Sequence, residues 1–412
     1  MSVEPRVAVL GGGITGVCAA LELADRGLNV DLYEQNDLLV SQASYWNEGK
    51  IHLGLVYAQD SSRRTARMMI EGAMSFRPLL KRWIETQTLD RAVSNPFHYA
   101  VHRQTMTPVE DVEAHFRSVA EWIRAVSRQP GAEYVAPLEG WIWRPSEDGT
   151  RCFSEDIVAS YVTEERSLDP TIIAAGLRAA AAASPRLTVL AGRTVDRVEQ
   201  RRGTGFVVSS QADGHRHTDE YGAVVNALWQ NRLGIDASLG LAEDRPVLHR
   251  FKVGLHSKPA FVPGDLPSVT FVLGPFGDIV NFGHRVYLSW YPAGHVLTSL
   301  DRTPPIFEVG LLGTDLARVE TETLDALVAL LPVDARALRG SVGQWEMGGG
   351  YITAWGKTGI DDAHSRLHER FEIGVQSTGH YHSIDTGKYT TGPFLAERVC
   401  GRIVSQTLIA CQ

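Results

Sequence analysis

Arg6-Val7-Ala8-Val9-Leu10-Gly11-Gly12-Gly13-Ile14-Thr15-Gly16 joins a short apolar run to a GxGxxG turn, and a helical stretch follows to about Arg26. Between a strand and a helix that glycine spacing has a physical meaning. Gly11 permits the tight turn, Gly13 lets backbone N–H groups approach a pyrophosphate, and Gly16 lets the helix lie close to the strand. Ile14 and Thr15 stand at the start of the helix, where unsatisfied donors and the positive dipole end favour phosphate. Gly27 ends the helix, and the segment NVDLYE at residues 29–34 reads as a second strand. Glu34 falls 23 residues after Gly11, where a carboxylate can bind both hydroxyls of a ribose, with Gln35 beside it. The stretch is a dinucleotide-binding βαβ unit. Its fingerprint alone does not separate flavin from nicotinamide dinucleotides.

Further along, Met68, Met69, Phe76, Leu80, Trp83 and Ile84 mark a helix. Thr107, Pro108 and Glu110 form a capping-box pattern before a second one, which repeats Val112, Phe116, Val119, Ile123 and Val126 on one face. Asp169-Pro170 caps an alanine-rich helix, and short strands follow at residues 187–190, 194–199 and 205–210. His215 and His217 come after the Asp213-Gly214 turn and are expected in an exposed loop. AVVNAL at 223–228 reads as a core strand. Residues 251–291 alternate as an antiparallel sheet, with Phe282-Gly283-His284 as a hairpin turn. The C-terminal part returns to a strand, a glycine-rich loop and a final helix.

The chain has 412 residues, 44% of them hydrophobic and 21% charged, which suits two domains. Its formal net charge of -8 argues against a nucleic-acid partner, which selects for a basic face. The glycine-interrupted apolar run at 7–21 is too short for a membrane span, and no other segment resembles one. Four cysteines, Cys18, Cys152, Cys400 and Cys411, form no CxxC pair; they read as reduced thiols of a cytoplasmic protein and indicate no metal site.

Ser44-Tyr45-Trp46-Asn47-Glu48-Gly49-Lys50-Ile51-His52-Leu53-Gly54 resembles the second flavin-contacting segment of the D-amino acid oxidase-like flavoproteins, in the N-x-G-x-I-H-x-G form of L-2-hydroxyglutarate oxidase and its relatives. The SLDP, TVDRVEQ and VVNALW segments follow that family's order, and glycine and sarcosine oxidases are among its members. STGHYHSIDTG at 377–387 resembles the closing loop over the flavin. The resemblance implies FAD, and an α/β fold in which a Rossmann-like FAD-binding domain carries an inserted, mainly antiparallel substrate domain of α+β character. The first would comprise residues 1–90, 150–235 and 345–412, and the second residues 91–149 and 236–344. It also implies that Ser44 and Asn47 sit near the phosphates or ribityl chain, with Glu48, Gly49, Lys50 and Ile51 along the ring. Val195 would meet the adenine, and Gly379, His380, His382, Ser383 and Ile384 would close the site. Trp46, and Leu228-Trp229 in place of Ala-Gly, depart from the family pattern.

Two residues are candidates for catalysis. His52 follows the flavin segment, as an acid/base over the ring or as a structural turn histidine. Lys252 lies where some amine oxidases of this kind carry a lysine that helps the flavin react with oxygen; a surface lysine on a strand is the alternative. Tyr287, Ser289 and Tyr291 share a strand face that could line a substrate cavity, and Trp345 precedes a triple glycine. The leading expectation is an oxidase or dehydrogenase that takes a hydride from a C–H beside an amine or hydroxyl of a small amino acid, amine or 2-hydroxy acid. Oxygen or another acceptor would take the electrons. An NAD(P)H-dependent flavin monooxygenase and a flavoprotein serving an RNA partner are the alternatives.

Overall fold

A computed structural model of the chain describes residues 6–201, 205–241, 243–261, 264–331 and 334–410. Strand β1 (Arg6–Leu10) is flanked in parallel by β2 (Asn29–Tyr33) and by Ala223–Asn226, and helix α1 (Ile14–Asp25) crosses between the first two. Leu187–Leu190 extends this sheet beyond β2. Tyr381–Asp385 extends it beyond Ala223–Asn226, and Gly374–Thr378 closes that edge antiparallel. The inner strands are mostly apolar because both faces are covered: helices pack on one, and on the other Ala8, Leu10, Tyr33 and Val224 meet Val198, Phe206, Val208 and Tyr221 of a three-stranded antiparallel sheet. On one face α1 packs with Pro170–Ala183 and Gly392–Ala410 around Val17, Leu21, Ile173 and Val399.

A second, larger sheet faces the first. Its strands run in the order His295–Ser299, Val247–Ser257, Val286–Trp290, Gly277–Asn281, Ser268–Val272, Phe97–His102, Ile157–Thr163 and Trp143–Pro145. Trp345–Trp355 pairs antiparallel along the whole of Val247–Ser257. Helix Asp315–Leu330 covers the back of this sheet, where Val319, Leu324 and Leu327 pack on Phe251, Val253 and Leu255.

Ile157–Thr163 and Trp345–Trp355 were expected with the nucleotide half, yet both belong to the larger sheet. The pairings that hold them there, with Phe97–His102 and Val247–Ser257, join segments distant in sequence, so local pattern could not assign them. His215 and His217 are on a strand, His215–Tyr221, that pairs with Phe206–Ala212. Helix Val109–Val126 buries Val112, Phe116, Val119 and Ile123 as read, but its N-cap is Pro108 without a side-chain cap. The hairpin at Gly283 (φ 82°) forms, and Asp169 caps its helix by accepting from the Thr171 N–H at 2.8 Å. Cys18 and Cys400 are buried free thiols; Cys411 lies outside the described residues.

Candidate active site

The carboxyl ends of the parallel strands open into a cleft of about 1480 Å³, mouth included, whose opposite wall is the larger sheet. Gly11 begins the near wall with φ 99°, and a Cβ there would come within 2.7 Å of the Ala227 carbonyl oxygen. A Cβ at Gly16 would overlap the Gly11 carbonyl oxygen, so this glycine does not touch the cleft but lets α1 reach it. Gly13 is the N-cap of α1 and offers no side-chain cap, and no acidic residue stands in the first turn. Ile14 N–H donates to Ser44 Oγ at 3.1 Å, and Thr15 Oγ1 lies 3.0 Å from Thr386 Oγ1. The positive end of α1, with no acidic residue in its first turn, favours an anion in this cradle.

Glu34 ends β2 beside that cradle. Its Oε2 accepts from the Gly12 N–H at 2.8 Å, and its Oε1 from Asn36 N–H and Nδ2 at 2.9 and 2.6 Å. Burial raises its pKa above the usual carboxylate value, and these donors offset only part of the rise. Gln35 and Val195 line the same end. A cradle for a pyrophosphate with a carboxylate for a ribose next to it fits an adenine dinucleotide.

The segment at 43–52 forms the cleft's inner part. Asn47 shapes it, donating to Ala43 O at 2.9 Å and accepting from Gly49 N–H at 2.7 Å. Gly49 and Ile51 do not face the cleft: Ile51 is fully buried, paired with Arg166, and its carbonyl accepts from Tyr134. Ser44, Asn47, Glu48, Lys50 and His52 do face it. The triple glycine of Trp345–Trp355 explains how this segment can lie on the larger sheet. A Cβ at Gly348 would overlap the Trp46 ring, and one at Gly350 would lie 2.5 Å from Ala43 Cα. With even-numbered positions turned to the cleft, Trp345 falls on the opposite face. There it packs on Phe261 and donates to Ser341 Oγ, away from any substrate.

Several ionisable groups converge at the inner end. Lys50 reaches across to Thr270 and to Asp278 Oδ1, the latter at 2.8 Å. Burial disfavours the Glu48 carboxylate, but Lys252, Lys388 and Lys50 outweigh it and hold the pKa at about 2. Burial likewise works against charge on Lys252, yet Tyr287 and Glu48 raise it above the usual ammonium value. Burial pushes the Tyr287 hydroxyl up to about 12. Lys388 is brought down to about 8 by burial, which the pull of Glu48 does not offset, with Arg370 and Lys252 adding to the fall.

His52 is 4% exposed, and its Nδ1 has no hydrogen-bond partner while Glu165 Oε1 lies 3.9 Å away. Burial first, then Lys388 and Lys50, hold its pKa well below the usual 6.5, so it is a neutral imidazole at pH 7. Glu165 is fixed by Leu53 N–H at 2.6 Å and Tyr99 OH at 2.5 Å.

Of the substrate-face residues, Tyr287 lines the cleft, whereas Ser289 is fully buried within the sheet and Tyr291 starts a short helix, accepting from Arg250. Gly379 and His380 form the turn before Tyr381–Asp385 and do not line the cleft. His382, Ser383 and Ile384 are buried inside the sheet. The wall of the cleft begins at Thr386 and continues through Gly387, Lys388 and Tyr389. A strand must be spent before the chain emerges at its carboxyl end, which is why the sequence pattern stopped short. The TGKY that follows the glycine-rich segment was the signal for Lys388.

A glycine cradle at the carboxyl ends of a parallel sheet, facing ionisable groups on a second sheet across one cleft, defines a dinucleotide-dependent enzyme. The chain belongs to the DAO family, FAD dependent oxidoreductase, whose pattern it matches over residues 6–392. FAD is accordingly its cofactor. The FAD-dependent monooxygenase FPY4 of Fusarium mangiferae is 23% identical over 297 residues, which cover 72% of this chain but only 64% of that protein. Glycine oxidase from Geobacillus kaustophilus shares the fold with a TM-score of 0.64 at 17% identity, covering 97% of this chain and 94% of that one. The L-alpha-glycerophosphate oxidase from Mycoplasma pneumoniae, determined with FAD bound, also gives 0.64, at 13% identity and 97% and 94% coverage. Among the described residues, no helix is long and apolar enough to cross a membrane.

Proposed function

We propose that this protein removes a hydride from a C–H beside an amine or hydroxyl of a small polar substrate and passes the electrons to oxygen or another acceptor. One observation carries the reading: a single cleft runs from the glycine cradle to Lys252, Tyr287 and His52. Gly11, Gly13, Ile14, Thr15 and Ser44 would hold the pyrophosphate, Glu34 and Gln35 the adenosine ribose, and Val195 the adenine. Asn47, Glu48 and Lys50 would run along the flavin. The six-stranded sheet with its helices would be the cofactor domain, and the larger sheet the substrate domain. Sparse cysteines fit a reducing, cytoplasmic setting.

When bound, FAD supplies the two-electron acceptor. The rest falls to the chain. Hydride loss needs the reacting carbon held about 3–3.5 Å from its acceptor in a site shielded from water. Tyr287 and the larger sheet would press the substrate against that acceptor. Neutral His52 can take the proton of an amine or hydroxyl at Nδ1, which is free to accept it. Lys252 keeps a positive charge where negative charge develops.

Anaerobic mixing with small amino acids, amines and 2-hydroxy acids tests the reading: bleaching of the flavin absorbance by at least one of them is expected. Flavin that is bleached only by NADPH would turn the assignment to a monooxygenase.

A further inference from the structure

The inner end of the cleft holds more positive charge than its own carboxylates neutralise. Lys252 and Lys388 line it, and Arg250 lies two residues before Lys252 on the same face of the same strand. Arg370 lines a smaller cavity that shares Gly387 with the cleft wall. Among the described residues, none of these four has a carboxylate within salt-bridge distance, although Lys50 is paired with Asp278 and Arg232 with Asp236 and Asp385. Glu48 is the acidic group closest in effect, acting on both lysines.

Arg250 is the telling member. Only 2% of it is exposed, its Nη1 donates to Tyr291 OH at 2.8 Å, and its buried Nε has no partner. Arg370, 6% exposed, spends its donors on two carbonyls, Leu367 O and Thr353 O. A buried guanidinium with neither counter-ion nor complete hydrogen bonding costs far more than a surface charge, unless a ligand completes it. The Tyr57 hydroxyl, also buried and unpartnered, lies within the field of Arg370 and Glu48. These groups affect one another: Arg370, Lys252 and Arg250 all depress the ammonium of Lys388.

We propose that the substrate of this site is a small dianion whose acidic groups are taken up among Lys252, Lys388, Arg250 and Arg370. This rests on the reading of the cleft as an oxidation site. The two charges come from one phosphate group or from two carboxylates, and both suit a planar guanidinium fork beside ammonium point charges.

Perturbation of the flavin absorbance measures binding without turnover. With the FAD-loaded protein, malonate or inorganic phosphate should bind at least about tenfold more tightly than acetate. Phosphate ahead of malonate assigns a phosphate ester, and malonate ahead assigns a second carboxylate. Arg250→Gln should reduce the preference for the dianion about tenfold, and Arg250→Lys should recover part of it. Arg370→Gln, read in the same way, serves if Arg250→Gln loses its flavin. Equal affinity for acetate and both dianions in the wild-type protein overturns the proposal, and so does an unchanged preference in the folded variants. If a neutral amine bleaches the flavin while no dianion binds, the dianion is lost and the oxidase reading survives. If dianions bind but no amine or alcohol that carries two acidic groups reduces the flavin, the anion site stands and the oxidase reading falls.

Discussion

The two ends of the cleft are built from different materials. At the glycine cradle the lining groups are backbone atoms of residues 11–15 in one strand–turn–helix, with the Gly12 and Ile14 N–H groups held by Glu34 and Ser44. At the inner end they are side chains brought from strands and loops more than 300 residues apart, such as His52, Lys252, Tyr287 and Lys388. A backbone site tolerates change at every position except those where a side chain would block it. A side-chain site can lose one charge, keep its shape and change its chemistry. The comparison therefore predicts loss of cofactor at one end and loss of rate at the other.

The largest effect belongs to Gly16→Val. Its Cβ would overlap the Gly11 carbonyl, forcing α1 away from β1 at a cost on the order of 3 kcal/mol. The variant should purify colourless with a lowered urea midpoint. A yellow Gly16→Val protein with full FAD would show that the cradle is not set by backbone contact.

Lys252→Met should keep FAD and the fold. The reaction of its reduced flavin with oxygen, followed by stopped flow, should slow about a hundredfold through the loss of a fixed positive charge. An unchanged rate would reduce Lys252 to a strand residue that happens to face the cleft.

His52→Ala is expected to slow flavin reduction about tenfold, the worth of one hydrogen bond to the reacting group. FAD content should remain normal. Because burial with Lys388 and Lys50 keeps the imidazole neutral, the wild-type rate should show no inflection near pH 6.5 that the substitution abolishes. Loss of FAD from this variant would make His52 part of the architecture rather than of the chemistry.

The smallest effect is a pH dependence. Lys388, brought to about 8 by burial and by Arg370, Lys252 and Arg250 against Glu48, is charged below that pH and neutral above it. Binding of an anionic inhibitor should therefore weaken, by about fivefold, as pH rises through 8. Lys388→Met should bind it weakly throughout and show no such limb. A limb that persists in Lys388→Met belongs to another group.

Much of this protein was legible in its sequence. The cradle could be read because each of its parts is local: Gly11, Gly13, Gly16 and Glu34 act through turn geometry, helix termini and a strand end within one βαβ unit. The family resemblance carried the reading to FAD. His52, Lys252 and Tyr287 could be singled out only as separate candidates, and the structure brings all three to the cleft wall.

Tertiary structure decided what those separate residues add up to. Strand alternation would put Tyr287, Ser289 and Tyr291 on one face, yet the strand ends at Trp290 and only Tyr287 lines the cleft: Ser289 is fully buried and Tyr291 begins a short helix. Trp345 was lost and Lys388 gained for a similar reason: strand parity and strand length fix which side chain meets the cavity. Glycine turns, caps and apolar periodicity act over a few residues and can be read directly. The unbalanced charge around Arg250 and Lys252 depends on which carboxylates pairing leaves nearby, and long-range strand order alone determines that.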